Sequence, residues 1–341
     1  MKTRFAFAGF RHAHILDLHA AVTARGDTEV VACCEEDSAT RDSLSVTITH
    51  TDFAKMLAET ECDVIAIGDY YSRRGSLVMA ALQAGRHVLS DKPLCTSLEE
   101  LTTIERLAAG NKLSIGLQLD CRDYAAFRTL REIIASGEIG EVCTIRIQGQ
   151  HPLLPATRPA WYFEPGEHGG TINDIGVHAF DFVPWLAGHD WQTIDAARTW
   201  NAKAKAHPHF QDCAQVMATL ENGAGVLADF SYLAPDRLGY KLPHYWHVLI
   251  HGTNGLAEAH LQAEHVTVIT DTSPIPEIRP VIEKRRQGYL DDFLSELQGH
   301  PGTLTTAQCL KATRLALDTQ HRSTRKRDAG TLAPSTPNKV T

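Results

Sequence analysis

The densest chemical signal in the chain is one short segment, Gly169-Gly170-Thr171-Ile172-Asn173-Asp174-Ile175-Gly176-Val177-His178-Ala179-Phe180-Asp181. On a helix beginning near Asn173, Asp174 and His178 are four residues apart and share a face. A carboxylate so placed could orient the imidazole and raise its proton affinity, which is what a general acid/base pair needs. Other readings compete. Asp174 could cap the helix, His178 could be a hydrogen-bonded core histidine, or Asp174, His178 and Asp181 could hold a metal. The last lacks an evident fourth ligand, and no metal is expected. Pro184 is expected to kink this helix, and Gly188 to end it.

A second candidate is Lys92, in Asp91-Lys92-Pro93, after the apolar run His87–Ser90. The proline restricts Lys92 to extended geometry, and a cis bond between the two is possible. An ordinary surface lysine is the plainer reading, but the end of a buried strand is where a lysine would be held at a sheet's carboxyl edge. A third is the turn Gly9-Phe10-Arg11-His12-Ala13-His14. Of the dinucleotide pattern G-x-G-x-x-G it keeps the first glycine, with Arg11 and His14 in the other two places. A helix N-terminus there still offers free N–H groups to an anion, and Arg11 and His12 add positive charge. Glu35 closes the next strand, near where an acidic residue takes the adenosine ribose hydroxyls. With Glu36 beside it a 2′-phosphate would be repelled, so NAD is favoured over NADP. Two solvated acids at a strand end is the alternative.

These residues need a scaffold, and the first 118 positions supply one by alternation. Strand-like runs at 3–8, 29–34, 62–67, 87–90 and 113–117 are separated by helical patterns at 15–22, 52–59, 76–84 and 97–109. That order specifies an α/β fold, a doubly wound parallel sheet covered on both faces. From Cys143 the pattern changes. Runs at 143–150, 212–220, 225–232, 246–251 and 265–270 imply a large, mostly antiparallel open sheet. A helix at 122–136 links the halves, Phe293–Leu297 and Thr306–Gln320 are helical, and residues 202–209 read as loop. The expected organisation is 1–118 for nucleotide binding, 119–321 for substrate and assembly, and 322–341 as a mobile tail. Aromatic and histidine residues gather at His151, Arg158, Trp161, Tyr162 and His168, and again at Tyr240, His244, Tyr245 and His247. Rings with polar tips suit sugars and cyclitols, although ordinary packing explains any one of them equally well. Trp161 and Tyr162 lie nearest the Asp174 segment.

Composition narrows the classes. The 341 residues are 43% hydrophobic and 22% charged, enough for a real core in about two domains. A net charge of −8 without basic clustering argues against nucleic acid as a partner. No apolar run is long enough to cross a membrane, and the opening residues are too brief for a secretory segment. The eight cysteines show no C-x-x-C spacing, consistent with a reduced, cytoplasmic setting.

Together the motifs resemble the Gfo/Idh/MocA family, the glucose–fructose oxidoreductase and inositol dehydrogenase group, over about residues 4–320. The resemblance is carried by the strand–Gly–helix opening, AGRHVLSDKPL at 84–94, SGEIGEV at 136–142 and GGTINDIGVHAFD at 169–181. It implies a Rossmann domain followed by an α/β domain whose open sheet makes dimer or tetramer contacts. It also implies that Lys92, Asp174 and His178 face the nicotinamide and a substrate hydroxyl. The expected cofactor contacts are Gly9, Phe10, Arg11, His12, Glu35, Asp69, Arg74, Asp91, Lys92 and Gln118. The expected substrate contacts are Lys92, Trp161, Tyr162, Asp174 and His178.

Several positions depart from that pattern. Asp91 stands for a glutamate, Asp69-Tyr70-Tyr71-Ser72-Arg73-Arg74 for Thr-Pro-x-x-x-His, Gln118 for Asn, and Asp120 for Arg. An arginine near the nicotinamide would favour an anionic or highly hydroxylated substrate, or pair with Asp69.

The expected activity is NAD-dependent oxidation of a secondary alcohol in a sugar, sugar acid or cyclitol. His178 would accept the proton with Asp174 stabilising the imidazolium, and Lys92 would hydrogen-bond the same oxygen. Two further readings stay open: glycoside cleavage through transient oxidation with NAD recycled, and a non-catalytic NAD-sensing regulator.

Overall fold

The computed structural model describes residues 1–242, 245–282 and 288–324. The expected mobile tail beyond 324, and His244 of the second aromatic group, lie outside them. The first sheet contains β1 (Thr3–Ala8), β2 (Thr28–Cys34), β3 (Val64–Ile67), β4 (His87–Ser90) and β5 (Ile115–Leu117), all parallel, in the order β2-β1-β3-β4-β5. The chain reverses direction across the sheet between β1 and β3. Ligands of such sheets sit outside the strand ends at that point, and Gly9 and Asp69 are the residues there.

Both faces are covered. Phe5, Phe7, Val64 and Leu89 pack beneath α1 (His14–Thr23) on one side. On the other, Ile65, Ile67 and Val88 meet α4 (Tyr71–Gln83) and α5 (Leu98–Asn111), after the short α2 (Ser38–Ser43) and α3 (Phe53–Glu59). The helix expected from Ser76 therefore begins five residues earlier, which turns Arg74 inward. Asp52 and Ser97 cap α3 and α5 by accepting the backbone N–H three residues on.

The second sheet has eight strands: β6 (Val142–Pro152), β7 (Trp191–Trp200), β8 (Cys213–Leu220), β9 (Gly225–Ala234), β10 (His247–Gly252), β11 (Gly255–His260), β12 (His265–Thr270) and β13 (Glu277–Pro280). Their order is β13-β12-β11-β10-β6-β9-β8-β7, and every pairing is antiparallel except β6 with β9. The sequence pattern did not reveal β7, β11 or β13. One face packs on α6 (Ala125–Ala135), α7 (Val177–Ala187) and α9 (Thr306–Thr324). On the other, Met217, Leu227 and Ile269 stand exposed. Helix α8 (Tyr289–Leu297) returns to the first sheet and packs Leu290 and Phe293 against its α1 face. Pro184 sits inside α7, and Gly188 closes that helix in the left-handed conformation.

Candidate active site

Glycine is required where the β1–α1 turn meets β3. Gly9 has φ +78°, and a Cβ there would fall 2.6–2.7 Å from Asp69 atoms. The turn lacks the glycine that usually lets helix approach strand, and Gly68 does that work instead, its face pressed against Ile15. The His12 N–H donates to the Gly68 carbonyl, locking the turn on β3. Glu35 is buried at the end of β2 and accepts from the N–H of Phe10 at 2.6 Å and of Asp37 at 2.8 Å. Arg11 Nε lies 3.4 Å from both Glu35 and Asp69. Arg73, rather than Arg74, pairs with Glu36 and Asp69.

Asp91 is buried completely. It takes His12 Nδ1 at 2.5 Å, His14 Nδ1 at 3.3 Å and Arg74 Nη2 at 2.8 Å. Burial works against its charge, but Arg74, His12 and His14 outweigh burial and hold the carboxyl well below the ordinary range. Burial lowers His12 to about 4, so the ring is neutral at pH 7, and its Nε2 meets the Tyr71 hydroxyl at 3.1 Å. Arg74 also donates to the carbonyls of Asp69, Lys92 and Pro93, with no exposed surface of its own. The expectation that Arg74 and Asp91 touch cofactor is thus corrected. Both side chains are fully buried and their hydrogen-bond partners all lie within the protein, so they brace the turn from beneath. Gln118 donates to the His14 carbonyl and the Tyr289 hydroxyl, leaving its buried Oε1 without a partner.

The Lys92–Pro93 bond is cis. Lys92 Nζ donates to Asp174 Oδ1 at 2.7 Å and to the Asp174 carbonyl at 3.1 Å. Residues Ile172–Gly176 form a π-turn ahead of α7. Its wider winding breaks the four-residue phase that a regular helix would give Asp174 and His178. Asp174 therefore does not orient His178, as the spacing suggested. Its second oxygen accepts from the hydroxyls of Tyr162, at 2.8 Å, and Tyr232, with His168 Nε2 3.4 Å away. Burial opposes the Asp174 charge, and Lys92 and His168 overcome it, holding the group well below the usual carboxylate range. With its oxygens engaged and only 2% of it exposed, Asp174 reaches a substrate through Lys92 rather than directly. Asp181, the third member of the possible metal set, is committed to Arg122.

His178 is buried beside Trp246, ring centroids 5.3 Å apart. Its Nδ1 faces Cys121 Sγ at 3.8 Å and Asp120 Oδ1 at 3.9 Å. Burial first, then the positive charge of Lys92, drives its pKa well below that of free imidazole. Tyr162 belongs to the Asp174 shell, and Trp161 stacks edge-on against Tyr71 at 4.9 Å. His168 and Tyr232 are the residues that sequence spacing did not assign. His168 stood in the aromatic cluster without a role, and Tyr232 carried no mark beyond closing a strand.

Between the β1–α1 turn and the second unit lies a cleft of about 360 Å³, lined by Arg11, His12 and His14 on one wall and Arg158, Tyr162 and Tyr245 on the other. Its turn and its helix N-terminus suit a dinucleotide. Comparison with known proteins agrees. Residues 3–118 match the oxidoreductase family with an NAD-binding Rossmann fold, and residues 127–258 match the GFO/IDH/MocA C-terminal domain. The chain belongs to the Gfo/Idh/MocA family.

Oxidoreductase YrbE of Bacillus subtilis, described as uncharacterized, is 26% identical over 74% of this chain and 72% of its own length. Inositol 2-dehydrogenase 2 of Saccharopolyspora erythraea is 26% identical over 73% and 68%. A solved inositol dehydrogenase homolog from Azotobacter vinelandii, complexed with NADH and myo-inositol, shares the fold with a TM-score of 0.75 at 17% identity, covering 95% of each chain. The chain is an oxidoreductase with NAD as its cofactor. None of its described helices is long and apolar enough to cross a membrane.

Proposed function

We propose that the chain is an NAD-dependent dehydrogenase of a secondary alcohol in a sugar, sugar acid or cyclitol. The observation that carries this reading is the state of Lys92. Its ammonium has three N–H donors, two of which go to Asp174, leaving one for a substrate oxygen, and Asp174 is joined to the cleft wall through Tyr162. When bound along Gly9–His12 and Glu35, NAD supplies the hydride acceptor. Lys92 steadies negative charge as it develops on the alcohol oxygen. His178, neutral because it is buried near Lys92, takes the hydroxyl proton. Asp174, Tyr162, Tyr232 and His168 hold the ammonium in place and keep water from it. Arg158 and Tyr245 line the cleft as donors and rings for a hydroxylated ligand. The uncovered face bearing Met217 and Leu227 supports assembly with a second copy.

Redox-neutral glycoside cleavage would use the same residues, so the test separates the two. NADH formation is followed with a panel of polyols, cyclitols and sugar acids, then with their glycosides. We expect net NADH from at least one free polyol, and Lys92→Met to remove it by about 10³-fold while NAD binding by calorimetry persists. Release of aglycone without NADH, or full turnover in Lys92→Met, overturns the reading.

A further inference from the structure

A cluster of metal-ligating atoms lies where the proposed mechanism uses only one of its members. Asp120 and Cys121 occupy a 3₁₀ turn after β5, and their Oδ1 and Sγ converge on Nδ1 of His178. The three ligand atoms lie within 4.8 Å of one another. We propose that Asp120, Cys121 and His178 bind a zinc-class divalent cation, and that its binding takes His178 out of service as a base.

Zinc bonds of about 2.3 Å to sulfur and about 2.0 Å to nitrogen and oxygen, at tetrahedral angles, set ligand atoms about 3.4–3.6 Å apart. The separations of 3.8 Å from nitrogen to sulfur and 3.9 Å from nitrogen to oxygen need only a slight contraction, and the partly exposed Asp120 carboxylate would turn inward to close a set whose atoms now lie within 4.8 Å of one another. The donor set also fits. A thiolate and an imidazole are the ligands zinc prefers, and three protein ligands leave a fourth position for water. Cys121 and His178 are buried and positioned in advance, whereas Asp120 has 45% of its side chain exposed and opens the way in. The positive charge of Lys92 is felt at His178 and opposes a cation there, and the ion pair with Asp174 offsets part of it.

The other histidine–carboxylate cluster, His12, His14 and Asp91, is no rival. There the Arg74 guanidinium occupies the same carboxylate and would repel a metal.

On binding, the Cys121 thiol loses its proton to solvent and the cation takes its place. Coordination at Nδ1 leaves the imidazole proton on Nε2. That nitrogen can then donate a hydrogen bond but no longer accept a substrate proton. This inhibitory consequence rests on the dehydrogenase reading. The binding itself does not, and is measured without NAD or substrate.

The probes are Zn²⁺ and Cd²⁺ added to the full chain in a Cys143→Ser background, which removes the one exposed thiol. We expect one tightly held zinc per chain by equilibrium dialysis, and an ultraviolet cadmium–thiolate absorption on Cd²⁺ addition. Cys121→Ser should abolish that absorption and weaken zinc at least tenfold. Asp120→Asn, at a partly exposed position, should weaken zinc by a similar factor with the absorption retained at higher metal. No thiolate band in the parent, a band that survives Cys121→Ser, or zinc affinity unmoved by Asp120→Asn each overturns the assignment. Activity assays then ask a separate question. Zinc that binds as described and leaves turnover intact refutes the proposed role of His178, not the site.

Discussion

Asp91 and Asp174 are both buried carboxylates held ionised by a cation, and they serve opposite ends. Asp91 faces the nucleotide turn and is paired with Arg74, which has no exposed surface and four oxygens to satisfy it. A guanidinium so bound is a permanent charge in a fixed fork, suited to bracing the two loops that follow β3 and β4 at once. Asp174 faces the second sheet and is paired with Lys92, a point charge on a flexible stem with one donor unspent. The same electrostatic device thus anchors the backbone in one region and presents a reactive amine in the other. The identity of the cation and its leftover hydrogen-bonding capacity make the difference.

The sharpest way to break this comparison is to neutralise the reactive half. Asp174→Asn keeps the backbone carbonyl and one side-chain oxygen, enough to face Lys92 or the tyrosines but not both, and removes the charge that orients the ammonium. We expect kcat to fall about 10³-fold, roughly 4 kcal/mol of barrier, with KM for the alcohol changing far less. Single-turnover NADH formation measures it. A loss confined to KM would make Asp174 a substrate contact, and a loss below tenfold would make the pair merely structural.

The bracing half predicts a different signature. Arg74→Met strands Asp91 with His12 and His14 as its only side-chain partners. Breaking a buried pair from one side costs about 3 kcal/mol at the low end of such cases, and His12 and His14 keep it there. Urea denaturation should show a lower midpoint at unchanged slope. The surviving folded fraction should keep its kcat, whereas Asp174→Asn loses it. An equal fall in kcat for both variants would erase the distinction between brace and amine.

How far these roles could be read in advance follows from what each signal is made of. The parallel strands were legible because strands buried on both faces read as apolar runs, the first four of them stopped by a glycine or an acid. β7 and β13 are the two edges of the second sheet and carry polar, exposed residues, so they left no such run. Lys92 and His178 were legible as chemistry, but their partners were not. The π-turn at Ile172–Gly176 adds no distinctive residue, yet it moves Asp174 away from His178 and toward Lys92. A buried arginine looks the same in sequence as a solvated one. Only the early start of α4 separates Arg74, turned inward, from Arg73, which reaches Glu36 at the surface.

The smallest effect concerns protons rather than side-chain loss. His12 is held near 4, against 6.5 for a free imidazole, chiefly by burial. As pH falls below the unfolded value, the unfolded chain gains a proton that the fold refuses, so stability declines with pH until the folded value is reached. His151, lowered to about 3, and His178 act in the same sense. Asp123, raised to about 8 by burial and by Asp120, acts in the opposite sense, because the fold takes up its proton first. The absolute curve therefore mixes several groups, but the difference between parent and His12→Asn isolates one. The asparagine still donates to Asp91 and does not titrate, so its stability should fall less, by about 1 kcal/mol, between about pH 6 and about pH 5. Denaturation midpoints across that interval measure the difference. Parallel curves would mean that His12 is charged in the folded chain. Asp91 would then hold a second cation beside Arg74, and the turn would rest on two ion pairs instead of one.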